Sequence, residues 1–209
     1  MRQIKIGEIT IDAVIERDGP WRKPDDFFPA FDQATFDAHL PSMEPEVFDP
    51  VSGKLVMTYQ TFVVRTPHHT ILVDTCTGEH KDLPAPFDFP GKERWREGLV
   101  ALGIGLEDVD YVFCTHLHVD HTGWNTTLKD GRWVPTFPNA KYIFHKAEYA
   151  VWEEEYKQGR DSYDRIFRIN CLPIVEAGQA LLVDDDYALD DLVTLTPTPG
   201  HSPHHCCVN

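Results

Sequence analysis

At 209 residues, with 42% hydrophobic and 25% charged side chains, the chain has the composition of one globular domain, which excludes the disordered and fibrous classes. A formal net charge of -15 without a cluster of Lys and Arg excludes a nucleic-acid partner, because binding to a phosphate backbone draws most of its affinity from such clusters. No apolar run approaches the ~18 residues of a membrane span, and the five cysteines are dispersed, so a cytoplasmic protein with reduced thiols and no membrane partner is expected.

Along the chain, Ile4, Ile6, Ile9, Ile11, Val14 and Ile15 alternate with polar neighbours, which predicts an opening hairpin of half-buried strands over 3–16. From 19 to 50 the character changes: six prolines (20, 24, 29, 41, 45 and 50) are interspersed with Trp21, Phe27, Phe28, Phe31 and Phe36. This segment reads as an arm on a single domain spanning 1–209. Its aromatics would pack back on the domain, line a substrate pocket, or pair two copies as a homodimer.

Two β-rich runs follow, 55–66 and 70–74, joined by a turn at Pro67-His68-His69. Residues 92–102 predict an amphipathic helix stopped by Gly103, and 110–114 a short apolar strand. Beyond them the pattern predicts a strand over 141–144, helical pieces over 146–158 and 163–169, and strands over 181–184 and 192–196. Alternating strands and helices with turn-linked strands at the start predict a layered α/β (α+β) domain whose sheet is mixed or antiparallel.

The chemistry-bearing run is Thr115-His116-Leu117-His118-Val119-Asp120-His121, directly after the 110–114 strand. In an extended segment alternate side chains share a face, so His116 and His118 would converge on one metal. Asp120 continues that spacing, and His121 would turn to the opposite side, offering a carboxylate and an imidazole to a second ion. A polar loop with solvated histidines is the plain alternative, disfavoured by four ligand-type residues in six positions.

The run His-x-His-x-Asp-His resembles the signature of the metallo-β-lactamase superfamily, and its surroundings are similar to the lactonase-like and organophosphate-hydrolase-like branch. Two further segments carry the resemblance: Leu72-Val73-Asp74-Thr75-Cys76, with Cys76 where the family has glycine, and Thr198-Pro199-Gly200-His201. The resemblance implies an αββα sandwich, His201 as third ligand of the first metal, and a role for Asp74 in steadying the histidine loop by hydrogen bonding. His201 lies 85 positions after His116, so only tertiary folding can assemble the set. His204 and His205 stay outside it, and Asp184-Asp185-Asp186 reads as a solvated turn.

The activity implied is hydrolysis of an ester, lactone or related small molecule by metal-activated water, with two zinc ions and Asp120 as the catalytic group that orients the water or moves its proton. Iron and manganese are alternative metals. The family pattern also calls for a bridging aspartate and a last histidine beyond His201, where only Ser202 to Asn209 follow. The second half of the sandwich is therefore expected to be incomplete and the chain a fragment. Two other functions fit the residues: a mononuclear iron sulfur dioxygenase using His116, His118 and His201, and an incomplete fragment that only binds metal.

Overall fold

The computed structural model describes residues 3–43, 46–160 and 165–209. The opening alternation forms the expected hairpin, with β1 (Ile4–Ile6) antiparallel to β2 (Ile9–Arg17). Strand β1 lies at the sheet edge with Ile4 and Ile6 exposed, whereas Val14 of β2 is buried.

The proline-rich arm is ordered into β3 (Pro20–Arg22), α1 (Pro24–Phe27), α2 (Gln33–His39) and β4 (Phe48–Asp49). Strand β5 (Lys54–Val56) completes a small sheet in the order β3-β5-β4. The strand expected over 55–66 is thus two strands, since β6 (Tyr59–Arg65) begins only after the chain has left the small sheet. Alternation carries no record of which partner a strand takes: Val56 donates to Val47 and Met57 to Gly19, both in the arm.

Strand β7 (Thr70–Val73) returns along β6 through the expected turn, where Thr66 N–H donates to the His69 carbonyl. There follow α3 (Arg94–Ala101), β8 (Tyr111–Phe113), α4 (Val119–Thr122), β9 (Thr126–Lys129), β10 (Arg132–Pro135), β11 (Lys141–His145) and α5 (Lys146–Lys157). The expected helical piece over 163–169 starts at positions outside the described residues. Its described part continues into a π-helical turn, Phe167–Cys171, and α6 (Leu172–Glu176). Strands β12 (Ala180–Val183), β13 (Leu195–Pro197) and β14 (Cys206–Val208) complete the described elements. The expected 192–196 strand starts later because Asp190 caps the amides of Leu192 and Val193 in a loop. The β9–β10 hairpin turns through Asp130-Gly131, both at positive φ, an Asp-Gly turn signal legible in the sequence but not used.

The main sheet has seven strands in the order β1-β2-β6-β7-β8-β11-β12. Its first pairs are antiparallel, and β7, β8, β11 and β12 run parallel, so the mixed α/β expectation holds. On one face α3, α5 and α6 cover a core that includes Trp95, Leu99, Trp124, Phe144, Trp152 and Ile174. On the other, Val64, Ile71, Phe113 and Ile143 pack beneath the β13–β14 hairpin through Leu195 and Cys206. Full burial of each such side chain contributes about 1.5–3 kcal/mol. Among the described residues no helix is long and apolar enough to cross a membrane.

Candidate metal centre

Because β7, β8 and β11 are parallel neighbours, the segments that leave their C-terminal ends emerge side by side, where ligands bind in open α/β sheets. After β7 comes Asp74, after β8 the histidine run, and after β11 helix α5. Asp74 sits at φ +59 and its carboxylate accepts from Thr115 N (2.8 Å), Thr115 Oγ1 (2.9 Å) and His121 Nδ1 (2.7 Å). One carboxylate thus hydrogen-bonds both ends of the histidine run.

The two loops also dock backbone to backbone, with Thr75 N donating to His121 O and Gly123 N to Cys76 O, each at 2.8 Å. A Cβ on Gly123 would lie 1.9 Å from the Thr77 carbonyl carbon, so only glycine permits the approach. Cys76 is fully buried at φ +50, left-handed backbone that favours the glycine it replaces. Buried Glu16 supports the same loop from β2, accepting from Thr77 N, Gly78 N and Trp124 Nε1.

The expectation of one extended ligand run is corrected: β8 ends at Phe113, Thr115 and His116 lie in bends, His118 is the N-cap of α4, and Asp120 and His121 ride on that helical turn. A chain entering a tight helical turn rotates its side chains by about 100° per residue, which separates Asp120 from the earlier alternation. His116, His118 and His201 nevertheless come together, with one candidate ligand atom from each lying within 4.8 Å of the others.

His118 Nδ1 lies 2.9 Å from His201 Nε2. His116 Nδ1 faces Thr115 Oγ1 at 3.0 Å, while its Nε2 is buried without a partner. A buried orphaned nitrogen beside two converging ring nitrogens is what a cation would satisfy. Two imidazoles on a tetrahedral zinc at ~2.0–2.1 Å would stand about 3.3 Å apart, a few tenths of an ångström from the observed spacing. Burial, with the neighbouring histidines, pushes the His116 imidazole down to about 2 and lowers that of His118. Both are therefore neutral donors at pH 7, as metal ligation requires. The residues fit the metal.

Beside them, His121 Nε2 lies 3.7 Å from Asp120 Oδ2. Burial opposes charge on His121, but Asp74, which accepts from it, and Asp120 outweigh burial and raise it. Since a carboxylate only accepts, Nδ1 carries the proton toward Asp74 and Nε2 is the nitrogen left for an ion. His205 packs its ring 5.0 Å from His116 but engages Thr198 Oγ1 through Nδ1, and His204 stacks on His145. His145 is bonded to Asp185 of the exposed acidic turn.

A cleft of about 430 Å³ opens on His118, Asp120 and His201, walled by Trp21, Phe27, Met57, Tyr59, Phe87, Trp152 and Ile166. The arm therefore both packs back on the core, Trp21 against Tyr59 at 5.0 Å, and lines the cleft. Trp124 and Phe137, which follow the histidine run, are core residues: Trp124 stacks on Trp95 at 4.9 Å, and Phe137 meets the Trp95 ring edge-on. Sequence reasoning missed Glu148, a buried carboxylate on α5 that accepts from Leu117 N, Trp152 Nε1 and Ser202 Oγ. Its signal was available, because Glu148, Tyr149 and Trp152 share one face of a helix whose other positions are mostly charged.

Residues 56–209 match the Metallo-beta-lactamase superfamily. The chain belongs to that superfamily. Among curated superfamily relatives, it is 33% identical over 109 residues to an N-acyl homoserine lactonase of Bacillus cereus, covering 51% of this chain and 35% of that protein. It is 35% identical over 113 residues to the N-acyl homoserine lactonase AttM of Azorhizobium caulinodans, covering 50% of this chain and 37% of the relative. The matched segments thus span little more than a third of those relatives. In fold the chain is similar to the dizinc quorum-quenching lactonase AidC (TM-score 0.74, 21% identity, 99% of this chain and 69% of that one). It is equally similar to the beta lactamase superfamily hydrolase AbOPH (TM-score 0.74, 20% identity, 98% and 67%).

Proposed function

We propose that this superfamily member is a zinc-dependent hydrolase of small esters or lactones bearing an apolar substituent. One observation carries the reading: His118 and His201, which line an apolar cleft, converge with the buried imidazole of His116. His116, His118 and His201 would hold one ion, and Asp120 with His121 would contribute to a second. When bound, such ions lower the pKa of a water from 15.7 toward ~7 and polarise the carbonyl oxygen under attack.

The chain's own residues do the rest. The walls of Trp21, Phe27, Tyr59 and Phe87 take the apolar substituent and exclude bulk water from the reacting carbonyl. Asp120 faces the cleft, where it can accept the proton of the attacking water and return it to the alkoxide as the C–O bond breaks. Two curated relatives are N-acyl homoserine lactonases by name, which supports a lactone over a phosphoester. Five free cysteines fit a reducing compartment, in keeping with a cytoplasmic site of action.

The test is metal content together with turnover of acyl lactones, aryl esters and phosphotriesters by the zinc-loaded chain. Stoichiometric zinc with lactone or ester turnover, abolished in His118→Ala, is the expected result. Stoichiometric iron with oxygen consumption would replace the hydrolase by an oxygenase, and bound zinc without turnover would leave a metal-binding chain only.

A further inference from the structure

The segments that carry the three histidines come from distant parts of the chain and, besides the contacts among the rings themselves, are joined by a backbone hydrogen bond and by a buried carboxylate. At the base, Cys206 N donates to Thr115 O at 3.0 Å. The carboxylate is that of Glu148, only 1% exposed. Its Oε1 accepts from Leu117 N–H (3.3 Å), the amide between His116 and His118, and from Trp152 Nε1 (2.9 Å), whose ring packs edge-on to His118 at 5.8 Å. Its Oε2 accepts from the hydroxyl of Ser202, the residue after His201.

We propose that Glu148 is the positioning residue of the metal centre, setting the distance of His201 from His116 and His118 by bridging their loops with one carboxylate. This rests on the metal-site reading above. The donors it serves are an amide, an indole and a hydroxyl. Burying a carboxyl group without a cationic partner is costly unless its oxygens are hydrogen-bonded, and an apolar residue would fill a purely structural position with less desolvation. Helix α5 begins directly at the end of β11, so the carboxylate is carried by the sheet and not by either loop. Both loops are referenced to one point, and the imidazoles are aligned before any ion arrives.

The test is zinc affinity of the full chain by competition with a chromophoric chelator, His118→Ala setting the background. Glu148→Ala is expected to weaken zinc binding about 10- to 100-fold, the range for loss of a group that orients ligands. Glu148→Gln, which can still accept from Leu117 and Trp152 and donate to the Ser202 hydroxyl, is expected to retain most of the affinity. Leu99→Ala, which loosens the same core from α3, should leave zinc affinity at the wild-type level although it lowers the melting temperature. Should Glu148→Ala not fold, Ser202→Ala cuts only the His201 side and is expected to weaken zinc binding while leaving the melting temperature close to wild type. Wild-type zinc affinity in Glu148→Ala or in Ser202→Ala overturns the proposal, as does a Gln variant no better than Ala or an equal loss in Leu99→Ala. A wild-type chain that binds no zinc above the His118→Ala background overturns the metal-site reading itself.

Discussion

The two loops that supply the histidines are held in unlike ways. The 115–121 loop is sealed into the protein: His116 and Leu117 are buried, Asp74 and Glu148 take its amides, and its end docks backbone to backbone on the 75–77 turn. The 198–202 loop lies open, with His201 exposed and its neighbour Ser202 tied to Glu148. The difference shows how a site can be half preformed. Two of the candidate ligands sit in the sealed loop, and the third is brought to them by a short list of hydrogen bonds.

The contrast can be broken most severely at Gly123. Gly123→Ala forces backbone away from Thr77 and should cost about 3 kcal/mol or more, the upper range for overpacking, read as a fall in the denaturation midpoint. Next comes Asp74→Ala, which strips acceptors from Thr115 N and His121 Nδ1 and places alanine at φ +59. It should cost about 2–3 kcal/mol by urea denaturation, whereas Asp74→Asn, tolerant of that backbone, should fold nearly as well and lose mainly zinc affinity.

Acid should act on the sealed loop through His116. Its folded value of about 2 lies below the ordinary 6.5, so between them the unfolded chain binds more protons and stability is lost as pH falls below 6.5. The metal-free wild type should therefore lose up to about 1.4 kcal/mol more per pH unit than His116→Gln between pH 6.5 and 5. Equal slopes in urea titrations would contradict the buried neutral imidazole. The smallest effect belongs to the open side of the site: Trp21→Ala removes cleft wall and should raise KM for apolar lactones roughly five- to tenfold, near 1–1.4 kcal/mol of apolar contact, with kcat little changed.

Much of this was legible in the sequence. Isoleucine alternation marked the first hairpin, the apolar stripe ending at Gly103 marked α3, and the histidine run with His201 marked the three residues, His116, His118 and His201, whose candidate ligand atoms lie within 4.8 Å of one another. What was not legible depended on choice of partner. Leu55 and Val56 alternate like the residues after them but pair with the arm, and nothing in the local pattern shows that Trp124 and Phe137 pack on Trp95 in the core. The helix face that Glu148 shares with Tyr149 and Trp152 is legible in the sequence, but its meeting with Leu117 and Ser202 is not.

The sequence by itself therefore determined the ligand chemistry, because residue type and local spacing decide which atoms can bind a metal. Only the tertiary structure decided that His201 meets His118, that Asp120 rides on a helical turn, and that Glu148 stands between the two histidine loops. Those facts depend on which strand ends lie side by side. In a parallel arrangement of β7, β8 and β11, residues far apart in the chain become neighbours through sheet order, which local spacing does not encode.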